Sequence, residues 1–209
     1  MRKRTTEQLS GKRIFGLVAA ILLALAAAAP PPAADAAPGP KRAAKASAEP
    51  PPFSGTARAF VFLKEPRAVQ FGPFADAEGR PVTMARYRGK VLLVNFWATW
   101  CAPCIHEMPT LDRLQAALGG PEFAVLTVSL DRKGMAAVGP FWQEQGYRHL
   151  PILLDSRWKT ARRLGVSGLP ATFLLDRRHR IVGYLLGPAA WDSPQAKAFL
   201  RFYIARPGS

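Results

Sequence analysis

The sequence predicts an α/β domain in which helices cover both faces of a mixed β-sheet. A continuous apolar run at residues 91–97 (VLLVNFW) has the length and composition of a strand buried on both faces. After it, apolar residues recur at steps of three and four, which is the spacing of one helix face. Strands and helices then alternate until a strand pair and a last helix end the pattern, and this order is typical of a mixed sheet.

The elements follow one another in chain order. Upstream of the buried strand, residues 69–74 and 80–83 flank the turn sequence DAEG and suggest an extra N-terminal hairpin. The helix after the buried strand ends at a Gly-Gly-Pro stop, and its apolar face consists of Ile105, Met108, Leu111, Leu114 and Leu118. The remaining predicted elements are a strand at 123–129, a helix from about 140 to 145, a strand at 152–154, a helix at 156–164, a hairpin of strands at 172–175 and 181–186, and a helix from 194 to about 205.

The first 36 residues have the order of a secretory signal, with basic residues followed by an apolar run at 14–29. This run is shorter than the about 20 residues of a typical transmembrane helix, so a cleaved signal and an uncleaved anchor both stay open. Either one exports the rest of the chain. Residues 37–52 are rich in Pro and Ala and are predicted to form a linker, and residues 53–209 form one domain.

Composition and charge exclude several classes of protein. The 209 residues are 49% hydrophobic and 21% charged, which excludes a wholly disordered chain. The 29 Lys and Arg residues against 14 Asp and Glu residues give a formal charge of +15. Because an exported protein meets little nucleic acid, the basic surface is expected to face anionic lipid headgroups, an acidic protein partner or only solvent. Two clusters of basic residues lie in the predicted domain, Arg157, Lys159, Arg162 and Arg163 in the first and Arg177, Arg178 and Arg180 in the second.

The only two cysteines form the strongest motif, Cys101-Ala102-Pro103-Cys104, at the junction of the buried strand and the helix. The first sulfur then meets unpaired amides and the positive end of the helix dipole, which favour a thiolate. We therefore expect Cys101 to attack and Cys104 to resolve, with the disulfide between them as the redox group. A purely structural disulfide is a poor explanation, because closing so short a loop stabilises a fold by only ~2 kcal/mol.

Three other roles for the cysteines are possible. A structural zinc site needs four ligands, and only His106 lies near the pair. Copper(I) delivery stays open because soft thiolates bind that ion, and permanently reduced core cysteines are a further alternative. Ala102 and Pro103 offer no histidine to stabilise a thiolate, which favours a reducing over an oxidising role.

The segment VNFWATWCAPCIHEMP at residues 94–109 resembles the thioredoxin superfamily, and within it the TlpA/ResA/CcmG branch, closest to TlpA. The resemblance covers about residues 66–209. A second segment, VSGLPATF at residues 166–173, is similar to the part of the fold that carries the cis-proline of the family. The resemblance implies that Pro170 is this residue and that the backbone of Leu169 faces the disulfide and an incoming peptide.

The resemblance also assigns the neighbouring residues. Where ordinary thioredoxins carry a buried aspartate, this sequence has Asn95, which cannot ionise. Glu107 matches the active-site glutamate of the ResA-like branch and is expected to handle protons, with a solvated helix carboxylate as the alternative. Trp97 is expected to pack in the core, whereas Trp100 would border the site. Trp100, Ala102, Pro103 and Leu169 are the predicted substrate-binding residues.

The resemblance implies a thiol:disulfide oxidoreductase that is tethered to the periplasmic side of the cytoplasmic membrane and reduces client proteins in cytochrome biogenesis. The implied clients are apocytochrome c, or the copper-site proteins of cytochrome oxidase and their copper chaperone. The segment GPAAWDSP at residues 187–194 favours the copper-site clients. We expect no metal and no bound cofactor, electrons supplied by a membrane thiol-disulfide donor, no nucleic acid and a monomeric chain.

Two alternative functions differ in their cysteine patterns. A thioredoxin-fold copper chaperone of the Sco type would show C-x-x-x-C with a distant histidine, whereas the spacing here is C-x-x-C. A peroxiredoxin-like thiol peroxidase would show P-x-x-x-T-x-x-C, and Val94 and Ala98 stand at the proline and threonine positions. This sequence matches neither pattern, which favours disulfide exchange over both alternative functions.

Overall fold

The computed structural model describes residues 49–206, which form one eight-stranded sheet with four α-helices. The strands are β1 (Val61–Ala68), β2 (Phe74–Ala75), β3 (Pro81–Val82), β4 (Val91–Trp97), β5 (Phe123–Ser129), β6 (Ile152–Leu154), β7 (Ala171–Leu175) and β8 (Arg180–Leu186). The helices are α1 (Ala102–Leu118), α2 (Met135–Gln145), α3 (Lys159–Leu164) and α4 (Pro194–Ile204), and a short 3-10 helix spans Met84–Tyr87.

The sheet is mixed, with strand order β1-β8-β7-β4-β5-β6-β2-β3. The pairs β4/β5 and β5/β6 are parallel, and the pairs β4/β7, β7/β8, β1/β8, β2/β3 and β2/β6 are antiparallel. The two parallel pairs need crossover connections, which α1 and α2 supply. This arrangement confirms the predicted fold class.

Side chains alternate along β4 between two cores, one on each face of the sheet. Val91, Leu93 and Trp97 belong to the core under α1, α2 and α4, whereas Leu92 and Phe96 belong to the core under α3. All seven residues of β4 are buried, which explains why the strand appears in the sequence as an uninterrupted apolar run. On this alternation Asn95 lies on the same face as α1.

Several boundaries differ from the sequence prediction. The helix predicted from about residue 140 begins at Met135, because Pro140 lies inside α2 and not in its first turn. The helix predicted from residue 156 begins at Lys159, where the Asp155 carboxylate accepts hydrogen bonds from the first amides of α3. Strand β1 was not predicted, since nearly all of its side chains are exposed and it has no apolar alternation.

The segment predicted as an N-terminal hairpin contains the antiparallel pair β2/β3, which is much shorter than the ranges 69–74 and 80–83. The predicted signal or anchor at residues 1–36 and most of the predicted linker lie outside the described residues. Within residues 49–206, no helix is long and apolar enough to cross a membrane.

Candidate active site

Cys101 and Cys104 form a disulfide at the junction of β4 and α1, with a Cα–Cα distance of 5.2 Å. Cys101 is the N-cap residue of α1, and its Sγ accepts a hydrogen bond of 3.3 Å from the Cys104 amide. Cys101 is 6% exposed and Cys104 is fully buried. An attacking thiolate therefore reaches Cys101 first. When the pair is reduced, the same amide and the helix dipole favour a thiolate at Cys101.

A groove of about 420 Å³ opens beside the disulfide. All four predicted substrate-binding residues, Trp100, Ala102, Pro103 and Leu169, line it together with Cys101. The groove wall also includes four residues for which the sequence predicts no binding role, namely Trp158, Val166, Ser167 and Gly168.

The loop on the far side of this groove carries Pro170, whose peptide bond with Leu169 is cis. Pro170 is buried and does not itself line the groove, and its carbonyl oxygen accepts a hydrogen bond of 2.8 Å from the Gly187 amide. Leu169 precedes it at the groove wall. The loop after α3 therefore faces the start of α1, although the two are far apart in sequence.

Glu107 lies one helical turn after Cys104 in α1 and is only 2% exposed. Its Oε1 accepts a hydrogen bond of 2.8 Å from Asn95 Nδ2. Its Oε2 accepts two hydrogen bonds of 3.0 Å, from the Ala189 amide and from Trp191 Nε1. The alternative of a solvated helix carboxylate is therefore wrong, because the side chain faces the sheet and not the solvent.

The environment of Glu107 brings its titration into the neutral range. Burial raises the pKa of Glu107 to about 7, although the hydrogen bonds from Ala189, Asn95 and Trp191 act in the opposite direction. A carboxyl with this pKa is populated in both protonation states near neutral pH, so it can accept or donate a proton.

Asn95 holds this carboxylate from the middle of β4. Its Nδ2 donates to Glu107 Oε1 and also, over 2.9 Å, to Thr172 Oγ1 on the adjacent strand β7. Its Oδ1 is buried and has no hydrogen-bond partner among the described residues. The position that carries a carboxylate in ordinary thioredoxins thus carries the amide donor for a carboxylate on α1.

Trp191 is fully buried next to Glu107, and the sequence pattern predicts no site role for it. It lies in segment 187–194, whose sequence bears on the choice of clients. A tryptophan in a loop rich in Gly, Pro and Ala was the one available signal, because a buried indole usually finds a partner for its N–H group. Trp97 is 1% exposed and Trp100 is 65% exposed, so Trp97 packs in the core and Trp100 lies at the rim.

The three histidines do not form a metal site with the cysteines. His149 Nδ1 lies 3.0 Å from Asp112 Oδ2, His179 Nε2 lies 3.0 Å from the Tyr87 carbonyl oxygen, and His106 is exposed on α1. Within residues 49–206, no group of three or more His, Cys, Asp and Glu side chains could hold a metal ion.

Comparison with known proteins places these features in a family. The Redoxin family model matches residues 48–200. The chain belongs to the Redoxin family. As a redoxin it is 33% identical over 132 residues to the thiol-disulfide oxidoreductase ResA of Geobacillus thermodenitrificans, a match that covers 60% of this chain and 75% of the relative. It is 30% identical over 112 residues to ResA of Bacillus anthracis, covering 54% of this chain and 64% of that one.

Solved structures of similar fold are also found. A DsbF homologue from Corynebacterium diphtheriae superposes with a TM-score of 0.56 at 26% identity, covering 72% of this redoxin and 94% of that chain. A DsbE-type thiol:disulfide interchange protein from Chlorobium tepidum gives a TM-score of 0.61 at 24% identity, covering 68% and 99%, and supports the fold alone. The predicted resemblance and the predicted enzyme class, a thiol:disulfide oxidoreductase, are confirmed.

Proposed function

We propose that this redoxin reduces disulfides of client proteins in cytochrome biogenesis on the periplasmic side of the cytoplasmic membrane. The observation that carries the proposal is the pairing of an outer Cys101 and a fully buried Cys104 at the start of α1, beside an open groove. In the proposed roles Cys101 is the nucleophile, Cys104 resolves, and Trp100, Ala102, Pro103 and Leu169 contact the client. Pro170 fixes the loop that presents Leu169.

The proposed reaction is two successive thiol-disulfide exchanges. The Cys101 thiolate attacks one sulfur of the client disulfide, and the other client sulfur leaves as a thiolate. The Cys104 thiolate then attacks Cys101 Sγ, which releases the second client thiolate and closes the Cys101–Cys104 disulfide. Two electrons pass to the client, whose thiolates take up two protons. The oxidised pair of this structure is thus the product of client reduction, and a dithiol donor protein in the membrane must reduce it again.

Glu107 is the proposed proton acceptor for the second exchange. Cys104 must lose its proton before it can attack, and it is fully buried, so water is a poor base for it. Glu107 follows Cys104 by three residues in α1 and therefore shares its helix face. Because the pKa of Glu107 is raised to about 7, the carboxylate can take this proton near neutral pH without being protonated permanently.

The direction of electron flow and the clients rest on the sequence. Ala102 and Pro103 provide no histidine that would stabilise the reduced form, which favours a reductant. Segment 187–194 favours the copper-site proteins of cytochrome oxidase or their copper chaperone as clients, with apocytochrome c as the other class. The relatives named thiol-disulfide oxidoreductase ResA support the reaction class, thiol-disulfide exchange.

The proposed organisation of the chain fits such a role. Residues 1–36 would be a signal or an anchor, residues 37–52 a linker, and residues 53–209 the catalytic domain. The apolar run at residues 14–29 would hold the chain at the membrane, or a peptidase would release the domain after cleavage.

Trapping of clients tests the proposal. The Cys104→Ser variant of the full chain should accumulate a mixed disulfide between Cys101 and a client, because the resolving thiol is gone. Isolated periplasmic or membrane protein would be the source of clients, and peptide mass spectrometry would identify the linked cysteine. The Cys101→Ser variant is the matched control and should trap nothing. Trapping by the Cys101→Ser variant instead would reverse the assignment of the two cysteines.

A further inference from the structure

The strand directions bring two loops next to the disulfide. Strands β4, β5 and β6 run parallel, so the segments that follow them leave from the same edge of the sheet. Cys101 follows β4, residues 130–134 follow β5, and residues 155–158 follow β6. The groove with the disulfide lies at the carboxyl-terminal ends of these strands. Arg88 and Arg148 precede β4 and β6 and lie at the opposite, amino-terminal ends.

Two tryptophans connect these loops. Trp158 adopts a left-handed backbone conformation with φ 58°, and its Nε1 donates a hydrogen bond of 2.8 Å to the Leu130 carbonyl oxygen. Trp100 and Trp158 line the groove beside Cys101 and also a second groove of about 410 Å³. Arg132 and Lys133 line the second groove. A continuous surface therefore runs from the disulfide across both indoles to two cationic side chains.

The acidic residues of the two loops are almost fully buried. Asp131 is 4% exposed, and its carboxylate accepts hydrogen bonds from the Thr99 amide and hydroxyl at 3.0 and 2.7 Å and from Ser129 Oγ at 2.8 Å. Asp155 is 8% exposed, and its carboxylate accepts hydrogen bonds of 2.8 to 2.9 Å from the first three amides of α3. Both carboxylates are thus almost fully buried and accept hydrogen bonds from the protein itself.

The cations of the same loops stay exposed. Arg132 and Lys133 follow Asp131, and Arg157 and Lys159 flank Trp158 in the chain. None of these four side chains forms an ion pair within residues 49–206. Asp131 also lines the second groove but is buried, so the exposed charged side chains of this groove are the cations Arg132 and Lys133. An exposed cationic surface attracts a partner of the opposite sign.

We propose that clients bind with an acidic segment next to their reactive cysteine, laid across Trp100 and Trp158 with its carboxylates on Arg132 and Lys133. This inference rests on the proposed function and specifies the class of client. A peptide is favoured over a lipid surface because the cations border a concave groove that contains the disulfide. Because Cys101 lines this groove, a client whose disulfide reacts with Cys101 also lies next to the cations. The headgroups of a flat membrane would not fill a concave groove.

Competition between charged substrates tests the proposal. The reduced full chain would be mixed with two peptides that each contain one internal disulfide. Glutamates flank the cysteines of the first peptide (the Glu peptide), and lysines flank those of the second (the Lys peptide). A neutral disulfide, hydroxyethyl disulfide, gives the reference rate for each variant. At low salt the Glu peptide should be reduced on the order of tenfold faster than the Lys peptide, and about 0.5 M salt should bring the ratio close to one.

Charge variants identify the surface responsible. The R132E/K133E pair should reverse the preference, and the neutral R132Q/K133Q pair should reduce it, each measured relative to the neutral disulfide. The R88E/R148E pair is the matched control, because it makes the same change in net charge at the opposite edge of the sheet with exposed residues. This control should keep the wild-type preference and the wild-type rate with the neutral disulfide.

The possible outcomes separate the two proposals. Equal rates for both peptides, or equal losses of preference in R132E/K133E and R88E/R148E, would overturn the acidic-segment proposal and leave the proposed function intact. Failure of the reduced chain to reduce even the neutral disulfide would count against the proposed function itself. Equal peptide rates combined with binding to anionic vesicles that R132E/K133E abolishes would assign these cations to a lipid surface and also overturn the proposal.

Discussion

Trp191 Nε1 donates a hydrogen bond of 3.0 Å to Oε2 of Glu107, although the two residues lie 84 positions apart. The bond ties the loop after β8 to α1 at the point where α1 carries the carboxylate. Phe53 packs on the same indole with ring centroids 5.1 Å apart, so the start of the described chain also supports this site. The protonation of Glu107 is therefore coupled to the packing of segments from three parts of the sequence.

We predict that Trp191→Phe raises the pKa of Glu107 above about 7, because the carboxylate loses one of its three donors while its burial persists. A hydrogen bond to a charged group contributes about 1.5–3 kcal/mol, so the free energy of unfolding should also fall. Urea titrations of the oxidised chain at a series of pH values measure this. As the pH rises, the free energy of unfolding of the variant should continue to fall beyond the pH at which the wild-type value becomes constant.

Trp97→Phe is the matched control for this variant. Trp97 is as buried as Trp191, but its Nε1 has no hydrogen-bond partner among the described residues. The control removes the same ring atoms and should leave the pH at which the wild-type curve levels off unchanged. Identical pH curves for both variants would mean that the indole of Trp191 only fills space.

Glu107→Gln should remove a pH dependence of stability. The pKa of Glu107 is raised from 4.5 to about 7 in the folded chain, so between these values the folded state holds a proton that the unfolded state has lost. The contribution of Glu107 to stability is therefore greatest below about pH 4.5, falls as the pH rises, and is lowest above about pH 7. A shift of this size corresponds to about 3 kcal/mol, and the wild type should lose this much relative to Glu107→Gln.

Unfolding of the oxidised chain by urea at a series of pH values measures this difference. Glu144→Gln changes an exposed glutamate of α2 and should follow the wild-type curve. Parallel curves for the wild type and Glu107→Gln would contradict a carboxyl that is buried and titrates near neutral pH.

Gly183→Ala should destabilise the pairing of β8 with β1. A Cβ at this position would overlap the ring of Phe60 and lie 2.5 Å from the Val61 carbonyl oxygen. Because that neighbour is backbone of the paired strand, relief of the clash requires β1 to move, at a cost of about 1–3 kcal/mol. Gly120→Ala is the control, since a Cβ there has no heavy atom within 4 Å. Chemical denaturation should show a lower midpoint for Gly183→Ala alone, and equal midpoints would contradict the close approach.

The equilibrium reduction potential of the Cys101–Cys104 pair should lie near or below roughly −200 mV, toward the ~−270 mV of thioredoxin. The reason is that Ala102 and Pro103 offer no donor that would stabilise the reduced form. Titration against thiol buffers with a mass-shift readout measures this potential. Pro103→His places such a donor beside the thiolate and should raise the potential. A wild-type value near ~−120 mV would make the chain an oxidant and reverse the direction of electron flow.

The part of the fold that the sequence predicted well is the part in which local pattern and burial agree. Strand β4 and the apolar face of α1 are buried, so their composition and spacing alone indicate their type. Strand β1 is an exposed strand at the edge of the sheet. It is a strand because it pairs with β8, and its own residues show no apolar alternation from which it could be predicted. The predicted start of α2 near residue 140 was wrong for a related reason. Tertiary contacts stabilise a helix that contains Pro140 in its interior, whereas the sequence alone favours a proline in the first turn.

By itself, the sequence determined the redox pair, its position at a helix start and the resemblance that led to the family, because these depend on residues close together in the chain. Only the tertiary structure decided that Glu107 is buried and not solvated. Its three donors arrive from β4 and from the loop after β8, and its desolvation depends on everything packed around it. Contacts of this kind produce no periodic pattern in a sequence, because the two partners are far apart in the chain and come into contact only when it folds.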